Sequence, residues 1–227
     1  AVVRERWPGH IGDIVLTGGE RGVLRAFDTC LKTDQGANLF SEPSSDHVHG
    51  IDYMLANTSR DELIVITNDQ NIAIYSLNTL TRTRVITGFN DEVIDMAYLD
   101  QGQSLVAATN SAQLRVYRLA DWSTQLLTGH TDTVLALDTS PCGRFIASAG
   151  KDTVLRVWGR DASGIWHTVA VGEGHTEAIT SLSFSKRSSL FVVSASRDKT
   201  IKVWDLTCVQ QELEWHSPLA LEALFTQ

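Results

Sequence analysis

Residues 129–158 read GHTDTVLALDTSPCGRFIASAGKDTVLRVW, and residues 174–204 repeat the pattern as GHTEAITSLSFSKRSSLFVVSASRDKTIKVW. Each stretch opens with Gly-His and closes with an aspartate, five further residues and a tryptophan. In Thr200–Trp204 the apolar residues alternate with polar ones, which is the pattern of a strand with one buried face. A unit that occurs twice at this spacing indicates a repeat fold, because stacked repeats bury each other's apolar faces.

Weaker copies precede these two. In the clear copies, apolar or β-branched residues fall four, seven and nine positions after the histidine: Val134, Leu137 and Thr139, then Ile179, Leu182 and Phe184. The same spacing fits Val93, Met96 and Tyr98 after Gly88-Phe89, and Val48, Ile51 and Tyr53 after Pro43-Ser44. A closing aromatic recurs at Phe27, Tyr75, Tyr117, Trp158 and Trp204. A period of about 40–45 residues is typical of the WD repeat, which forms one four-stranded propeller blade per repeat.

The chain is therefore predicted to be an all-β, WD-repeat β-propeller with about five blades, part of a larger or tandem seven-bladed propeller. The predicted boundaries are an incomplete blade with an acidic insert at 1–45, degenerate blades at 46–87 and 88–128, regular blades at 129–173 and 174–213, and an atypical tail at 214–227. Blade one is expected to have strands at 13–16 and 23–27 but no recognisable first strand. Residues 208–213 fit an outer strand, and residues 219–225 fit a short helix equally well.

The repeated polar residues are predicted to have a structural role. An aspartate in the turn between the second and third strands can accept hydrogen bonds from the turn's own backbone. The WD pattern links it to the histidine of Gly-His, a serine and the tryptophan indole. The two predicted networks are His130, Ser148, Asp152, Trp158 and His175, Ser194, Asp198, Trp204. A catalytic triad is the alternative; it is disfavoured because the set occurs in two successive blades and no G-x-S-x-G elbow is present.

The first three blades lack complete networks. Blade one has Arg21 at the aspartate position and Phe27 at the tryptophan position. Blade two keeps Asp69 but has Tyr75 at the tryptophan position. Blade three has Phe89, Ser111 and Tyr117 in place of the histidine, the aspartate and the tryptophan. Because these blades depend mainly on apolar packing, we expect them to be locally less stable than blades four and five. Amide hydrogen exchange checks this expectation, and slower exchange in the first three blades would contradict it.

Composition narrows the classes of partner. The chain has 227 residues, of which 43% are hydrophobic and 20% charged, so it can bury a sizeable core. No apolar run approaches the roughly 18 residues that a membrane helix needs. The net charge of −8 argues against broad phosphate binding by clustered cations. The three scattered cysteines fit a reducing compartment rather than a disulfide framework.

No catalytic, cofactor or metal site is predicted, and no small-molecule substrate. Asp46-His47-Val48-His49 places two imidazoles on one side of an extended segment, but the sequence does not indicate a third and fourth metal ligand. The glycine-rich stretch 18–22 lacks the Gly-Lys-Ser/Thr of a phosphate-binding loop and is interpreted as a tight turn.

A partner-binding surface is predicted at the narrow rim of the propeller. In WD-repeat proteins the residue before the turn aspartate faces this rim, and here the corresponding residues are Asn68, Lys151 and Arg197. Asp132 and Glu177 stand near the start of the innermost strands and complete the predicted rim. An ordinary solvated surface is the alternative interpretation of these five residues.

The ordered series of irregular blades is more specific than the WD signature. The segments are TGGERGVLRAF, ITNDQNIAIYSLNTL, GFNDEVIDMAYL, TGHTDTVLALD and EGHTEAITSLSFSKRSSLFVVSASRDKTIKVWDL. Together they resemble the WD-repeat proteins of the UtpB subcomplex of the small-subunit processome, over roughly residues 10–206. The resemblance implies two tandem seven-bladed propellers and a helical C-terminal domain, of which this chain would be a fragment.

The resemblance also implies a function. It suggests a non-catalytic scaffold in ribosome biogenesis that assembles the small-subunit processome for pre-18S rRNA processing in the nucleolus of the nucleus. The implied partners are other UtpB propeller proteins, with a small nucleolar ribonucleoprotein and pre-rRNA contacted mostly indirectly, and no membrane. The alternative is a substrate adaptor or reader in a ubiquitin-ligase or chromatin complex, because the propeller fold alone does not fix function.

Overall fold

The computed structural model describes residues 2–6, 13–19, 24–28, 50–57, 60–68, 71–77, 81–86, 92–99, 102–161, 163–187 and 191–208. The chain divides into two compact units, Ala1–Glu92 and Val93–Gln227. In every described sheet, strands that follow one another in sequence pair with each other and are antiparallel. Within these segments there is no helix long and apolar enough to cross a membrane.

Unit one contains two sheets, named blades one and two. Blade one consists of β1 (Val2–Arg6), β2 (Asp13–Gly18) and β3 (Leu24–Asp28). Blade two consists of β4 (Ile51–Asn57), β5 (Glu62–Thr67), β6 (Ile72–Ser76) and β7 (Arg82–Ile86). The two blades share one apolar core, in which Leu16 of blade one is buried with Met54 and Leu63 of blade two.

Unit two contains three sheets, named blades three to five. Blade three consists of β8 (Val93–Leu99), β9 (Ser104–Thr109), β10 (Gln113–Arg118) and β11 (Thr124–Thr128). Blade four consists of β12 (Val134–Thr139), β13 (Phe145–Gly150), β14 (Leu155–Arg160) and β15 (Trp166–Gly172). Blade five consists of β16 (Ile179–Phe184), β17 (Phe191–Ser196) and β18 (Ile201–Asp205). The predicted succession of WD-type blades is confirmed.

Alternation along β14 determines how the blades of unit two pack. Leu155 and Val157 are fully buried in the core between blades four and five. Trp158 points to the opposite face of the sheet and is buried in the core between blades three and four. Burying one large apolar side chain contributes about 1.5–3 kcal/mol, so blade four is held on both faces.

The equivalent face of blade five is exposed. Ile201 and Val203 occupy the positions in β18 that Leu155 and Val157 occupy in β14, because each pair is opposite the corresponding two positions of the preceding strand of its own blade. They are 72% and 65% exposed, and no described residue covers them. In blade four the corresponding face is covered by the next blade. In blade five no described residue covers it. The predicted outer strand at 208–213 and the tail lie outside the described residues, apart from Cys208.

Blade one contains a first strand that the sequence pattern did not indicate. β1 pairs with β2 in a register that runs from Val2 opposite Thr17 to Arg6 opposite Asp13. The expectation of a blade without a recognisable first strand is therefore wrong. The stretch VVRER carries three charged residues in five and no Gly-His before it, so neither alternation nor a motif marks it as a strand.

The predicted register of blade two is wrong by three residues. Strands β4, β8, β12 and β16 each have a pairing irregularity directly after their first residue, which aligns Ile51 with Val134. In this alignment the buried residues Met54 and Ala56 stand seven and nine positions after the histidine position of the repeat, where the sequence pattern had placed Ile51 and Tyr53. Counting back four residues in sequence from Ile51 gives His47 rather than Ser44. His47 therefore matches the histidine position of the repeat; His47, His49 and Asp69 lie outside the described residues.

Two aspartates connect the inner strands of neighbouring blades in unit two. Asp95 in β8 accepts a hydrogen bond from the backbone N–H of Leu137 in β12 at 2.9 Å. Asp138 in β12 accepts one from the backbone N–H of Phe184 at 2.9 Å and one from the Ser183 hydroxyl at 3.0 Å. These carboxylates give the blades a polar connection in addition to the apolar core.

Replacing Asp138 with alanine is expected to lower the free energy of unfolding by about 2 kcal/mol, because two donors in β16 lose a charged acceptor. Urea denaturation measures the change. Lys186→Ala is the matched control, since the Lys186 ammonium lies 2.9 Å from the same carboxylate but its side chain is 72% exposed. It should change stability by less than about 0.5 kcal/mol. Equal losses in the two variants would contradict this account.

Candidate partner-binding rim

The four predicted residues of blade four form one continuous chain of hydrogen bonds. The Trp158 indole Nε1 donates to Ser148 Oγ at 2.8 Å, and Ser148 Oγ lies 2.8 Å from His130 Nε2. His130 Nδ1 lies 2.7 Å from Asp152 Oδ2. Ser148 is on β13 and Trp158 on β14, while His130 lies in the segment before the inner strand β12, which begins at Val134. The network therefore ties β13 and β14 to the segment that leads into β12.

Blade five contains the same network. His175, Ser194 and Trp204 are joined by distances of 2.8 Å, and His175 Nδ1 lies 2.7 Å from Asp198 Oδ2. Thr200 adds a further partner that blade four lacks, because its hydroxyl donates to Asp198 Oδ1 at 2.6 Å and lies 3.2 Å from His175 Nδ1. Val154 takes the equivalent place in blade four.

One placement of hydrogens satisfies the whole blade-four network. The Trp158 indole can only donate, so Ser148 Oγ accepts from it and turns its own O–H toward His130 Nε2. His130 is then neutral, with its hydrogen on Nδ1 donated to Asp152. The pKa of His130 agrees with this assignment, since burial lowers it below 6.5 and outweighs the opposite effect of the Asp152 carboxylate. The positive charge of Arg156 lowers this pKa further.

Acidification is expected to destabilise blade four. Because the pKa of His130 is lower in the folded chain than its ordinary value of 6.5, the unfolded chain takes up the proton first as the pH falls. The His130 contribution to stability is therefore present above pH 6.5 and lost as the pH falls from there toward the folded-state pKa. NMR titration of the His130 ring measures this directly. A ring that titrates above 6.5 would contradict the neutral assignment.

The two aspartates also stabilise the turns in which they lie. Asp152 accepts hydrogen bonds from the backbone N–H of Thr131 at 3.2 Å and of Val154 at 3.3 Å. The turns place Thr153 and Lys199 at φ values of 65° and 68°, a left-handed conformation that side chains disfavour. The aspartate hydrogen bonds offset that cost and fix the direction in which the turn leaves the sheet.

Hydrogen bonds keep Asp198 ionised. Desolvation acts to raise the pKa of its carboxyl, but donors on Thr200 and His175 and the backbone N–H groups of Thr200 and Thr176 outweigh it. The pKa of Asp198 consequently lies well below its ordinary value. The turn of blade five therefore keeps a fixed negative charge across the physiological pH range.

Three of the predicted rim residues occupy equivalent places. Asn68, Lys151 and Arg197 each stand at the turn after the second strand, and each donates its backbone N–H to the carbonyl before or near the start of the inner strand. The acceptors are Gly50, Thr133 and Ala178, at 2.9–3.0 Å. All three rim side chains are exposed, so the backbone is anchored while the side chains face solvent. Asn68 belongs to unit one and the other two to unit two.

The remaining two rim residues, Asp132 and Glu177, carry negative charge. Asp132 is exposed, and its carboxylate accepts from the Thr133 backbone N–H at 2.6 Å. That hydrogen bond lowers the pKa of Asp132, and the charge of Lys151 acts in the same direction. Glu177 is exposed at the same place in blade five, where its backbone carbonyl accepts from Ser196. The rim residues of blades four and five therefore include both acidic and basic side chains.

Blade three shows what remains when the network is absent. Ser111 takes the aspartate position, where its hydroxyl accepts from the Gln113 backbone N–H at 3.3 Å and lies 2.9 Å from Thr109 Oγ1. Ala107 takes the serine position, by its pairing with Met96. The turn of blade three keeps the hydrogen bonds of Ser111, but the blade has no serine hydroxyl at the position that links the turn to the closing aromatic residue in blades four and five. Exposed Asn110 stands at the rim position of this blade and was missed, because no aspartate follows it to mark the turn.

The chemistry of the networks is structural. Ser148 and Ser194 are fully buried, and each hydroxyl is already shared between an imidazole and an indole. A substrate carbonyl cannot reach either oxygen in this conformation, although the residue types are those of a catalytic triad. In the part of the chain that the structure describes, no group of three or more His, Cys, Asp or Glu side chains is placed to hold a metal ion.

Comparison with known proteins agrees with the fold. The family model described as WD domain, G-beta repeat, matches residues 122–159 and 166–205. The first match covers β11 to β14 and the second β15 to β18, so each sequence repeat supplies the outer strand of one blade and three strands of the next. This offset makes each repeat a covalent link between adjacent sheets.

Similar proteins extend the match to the degenerate blades. The chain is 32% identical to transducin beta-like protein 3 of Mus musculus over 193 residues, which is 84% of this chain and 24% of that protein. It is 32% identical to the Homo sapiens protein of the same name over 216 residues, 93% of this chain and 26% of that protein. WD repeat-containing protein 37 of Mus musculus is 35% identical over 116 residues, 50% of this chain and 23% of that protein.

The chain spans about a quarter of the length of the curated relatives that it matches over most of its own length. Its blade architecture, its two complete polar networks and the two family matches all agree. The chain is a WD-repeat protein, similar over most of its length to a segment of transducin beta-like protein 3.

Proposed function

We propose that the chain is part of a non-catalytic scaffold that assembles the small-subunit processome for pre-18S rRNA processing in the nucleolus. The observation that carries the proposal is similarity to transducin beta-like protein 3 across the degenerate and the regular blades alike. A match to the two regular blades alone would fit any WD-repeat protein. The ordered irregular blades are the part that resembles the UtpB proteins.

A scaffold role is consistent with what the side chains do. The residues that could carry out acyl transfer, Ser148 and Ser194, are buried and used to hold strands together. The basic rim residues that reach solvent, Lys151 and Arg197, lie on turns whose backbone is anchored. Anchored turns that present mixed charges suit recognition of a folded protein surface, because complementary charges favour one docking orientation.

The proposed partners are other propeller proteins of the UtpB subcomplex. The small nucleolar ribonucleoprotein and pre-rRNA are proposed to be contacted mostly through those proteins. The net charge of −8 supports this order, because direct binding along an RNA backbone depends on clustered Lys and Arg. The mixed charges of the rim fit a protein partner better than a polyanion.

Affinity capture of the full-length protein that contains this chain tests the proposal. UtpB propeller proteins and pre-rRNA are expected to co-purify, and ribonuclease treatment should release the RNA while the proteins stay bound. The charge-reversal pair Lys151→Glu and Arg197→Glu is expected to reduce capture of the proteins. Arg187→Glu, an exposed change in the loop after β16, is the control. Capture of a ubiquitin ligase or a histone-modifying complex in place of UtpB proteins would overturn the proposal and favour an adaptor.

A further inference from the structure

A cavity of about 170 Å³ lies between blades three and four. It opens at the end of the strands opposite the rim, where β10 and β14 turn into the outer strands β11 and β15. Its lining includes two arginines, Arg118 from blade three and Arg160 from blade four, together with Ser104, Ser123 and Thr124. None of these residues belongs to the polar networks or to the rim.

The walls of the cavity are held by specific contacts. The Gln125 side-chain amide donates to the Trp166 carbonyl at 2.9 Å and accepts from the Trp166 backbone N–H at 3.1 Å, which joins the two blades at one side. Arg160 Nε donates to the Gly164 carbonyl at 3.2 Å, which fixes the orientation of the guanidinium plane. Gly164 has a φ of 87°, and a Cβ at this residue would come within 3.3 Å of the Arg160 guanidinium.

The second arginine can change partners. Arg118 Nη1 lies 3.4 Å from Asp121, and the two side chains are 59% and 53% exposed, so water weakens this ion pair. The Asp121 carboxylate is also used within its own turn, where Oδ1 accepts from the backbone and the hydroxyl of Ser123. A more highly charged anion in the cavity would therefore compete effectively for Arg118.

We propose that this cavity binds a single phosphate group carried on a protein, namely a phosphoserine or phosphothreonine side chain. Two guanidinium groups that line one cavity form a donor set suited to a phosphate, because planar guanidinium groups match its oxygens. The volume is well below the roughly 300–1,000 Å³ of a pocket for a drug-sized molecule. It suits one tetrahedral group presented by a larger partner.

The surroundings favour a phosphoprotein over an RNA backbone. Asp121 and Asp161 lie on the two turns that border the cavity, so successive phosphates of a nucleic acid would pass close to carboxylates. A phosphorylated side chain places its whole charge inside the cavity. Ile165, which is 55% exposed beside the lining residue Trp166, offers apolar contact to the residues that flank it. The proposal of a phosphate site does not depend on the function proposed above.

Three probes test the proposal on the 227-residue chain: a glycine-flanked phosphoserine peptide, the same peptide without phosphate, and a single-stranded uridine oligonucleotide. Two-dimensional ¹H–¹⁵N spectra report the Nε–H groups of Arg118 and Arg160 and the indole N–H of Trp166. The phosphopeptide should shift these signals saturably, and the plain peptide should leave them in place. A phosphopeptide that shifts none of them overturns the proposal. Tighter binding of the oligonucleotide at the same signals assigns the cavity to nucleic acid, which also overturns it.

Variants separate the site from general electrostatics. Arg118→Gln and Arg160→Gln should each weaken phosphopeptide binding about tenfold, the typical effect of one charge-assisted hydrogen bond. Arg144→Gln is the matched control, because Arg144 is an exposed cation of blade four outside the cavity lining. Asp121→Asn should strengthen binding by about threefold, since it removes a competing charge while the amide oxygen can still accept from Ser123. An equal loss in Arg144→Gln, or no gain in Asp121→Asn, contradicts the proposal.

Discussion

Replacing Asp152 with alanine is expected to lower the free energy of unfolding by about 3 kcal/mol, because a charged acceptor is lost from a buried network. The Asp152 side chain is only 3% exposed. Its removal leaves His130 Nδ1–H without its acceptor, and the backbone N–H groups of Thr131 and Val154 lose theirs as well. Urea denaturation followed by circular dichroism measures the loss.

Blade three provides the matched control for Asp152. Ser111 occupies the same turn position, but its bonds are local and partly exposed. Ser111→Ala is therefore expected to lower the free energy of unfolding by about 0.5–1 kcal/mol. The double variant His130→Phe with Asp152→Ser copies the Phe89 and Ser111 pair of blade three and leaves no unpaired imidazole. It should be more stable than Asp152→Ala; a double variant that is less stable would show that the network is not the source of the loss.

Replacing Trp158 with alanine is expected to lower the free energy of unfolding by about 3–5 kcal/mol, because it leaves a cavity in a packed core. The Trp158 side chain is 2% exposed and packs between blades three and four with Leu99, Val106 and Leu127. The variant also removes the indole that donates to Ser148. Circular dichroism is again the measurement, since tryptophan fluorescence changes with the substitution itself.

Trp158→Tyr is the control for the cavity. Tyrosine is the residue at the equivalent position of blade three, Tyr117, whose side chain is buried in the same way. A loss of about 1.5 kcal/mol is expected, because most of the ring volume is retained while shape and hydrogen bonding change. If the tyrosine variant loses as much as the alanine variant, the indole hydrogen bond rather than the packed volume dominates at this site.

The regular blades could be predicted in detail because their signals are local. In blades four and five, Gly-His, the turn aspartate and the closing tryptophan lie at fixed sequence distances, and the hydrogen bonds join the predicted residues. The register of blade two was misjudged because apolar residues such as Ile51 and Tyr53 fit the spacing in more than one alignment. The pairing irregularity after Ile51 resolves the register, and it is a property of backbone pairing that residue types do not reveal.

Features that join separate blades were not predictable from the sequence. The contact of Asp95 with Leu137 and that of Asp138 with Phe184 span 42 and 46 residues, and neither aspartate belongs to a motif. Arg118 and Arg160 also come from different blades and line one cavity only because the blades are packed side by side. The predicted rim residues are exposed at their turns, and binding of a partner there stays a prediction.

The blade-four network connects the core of the blade to its surface. Trp158 is buried between two sheets, yet three consecutive hydrogen bonds lead from its indole to Asp152, the neighbour of exposed Lys151. None of these bonds can be reversed without leaving a donor or an acceptor unused. A substitution at Ser148 would therefore change the geometry of a turn that it does not touch. Where a variant deep in this blade still accumulates normally, we expect it to alter the turn beside Lys151 as well as the core.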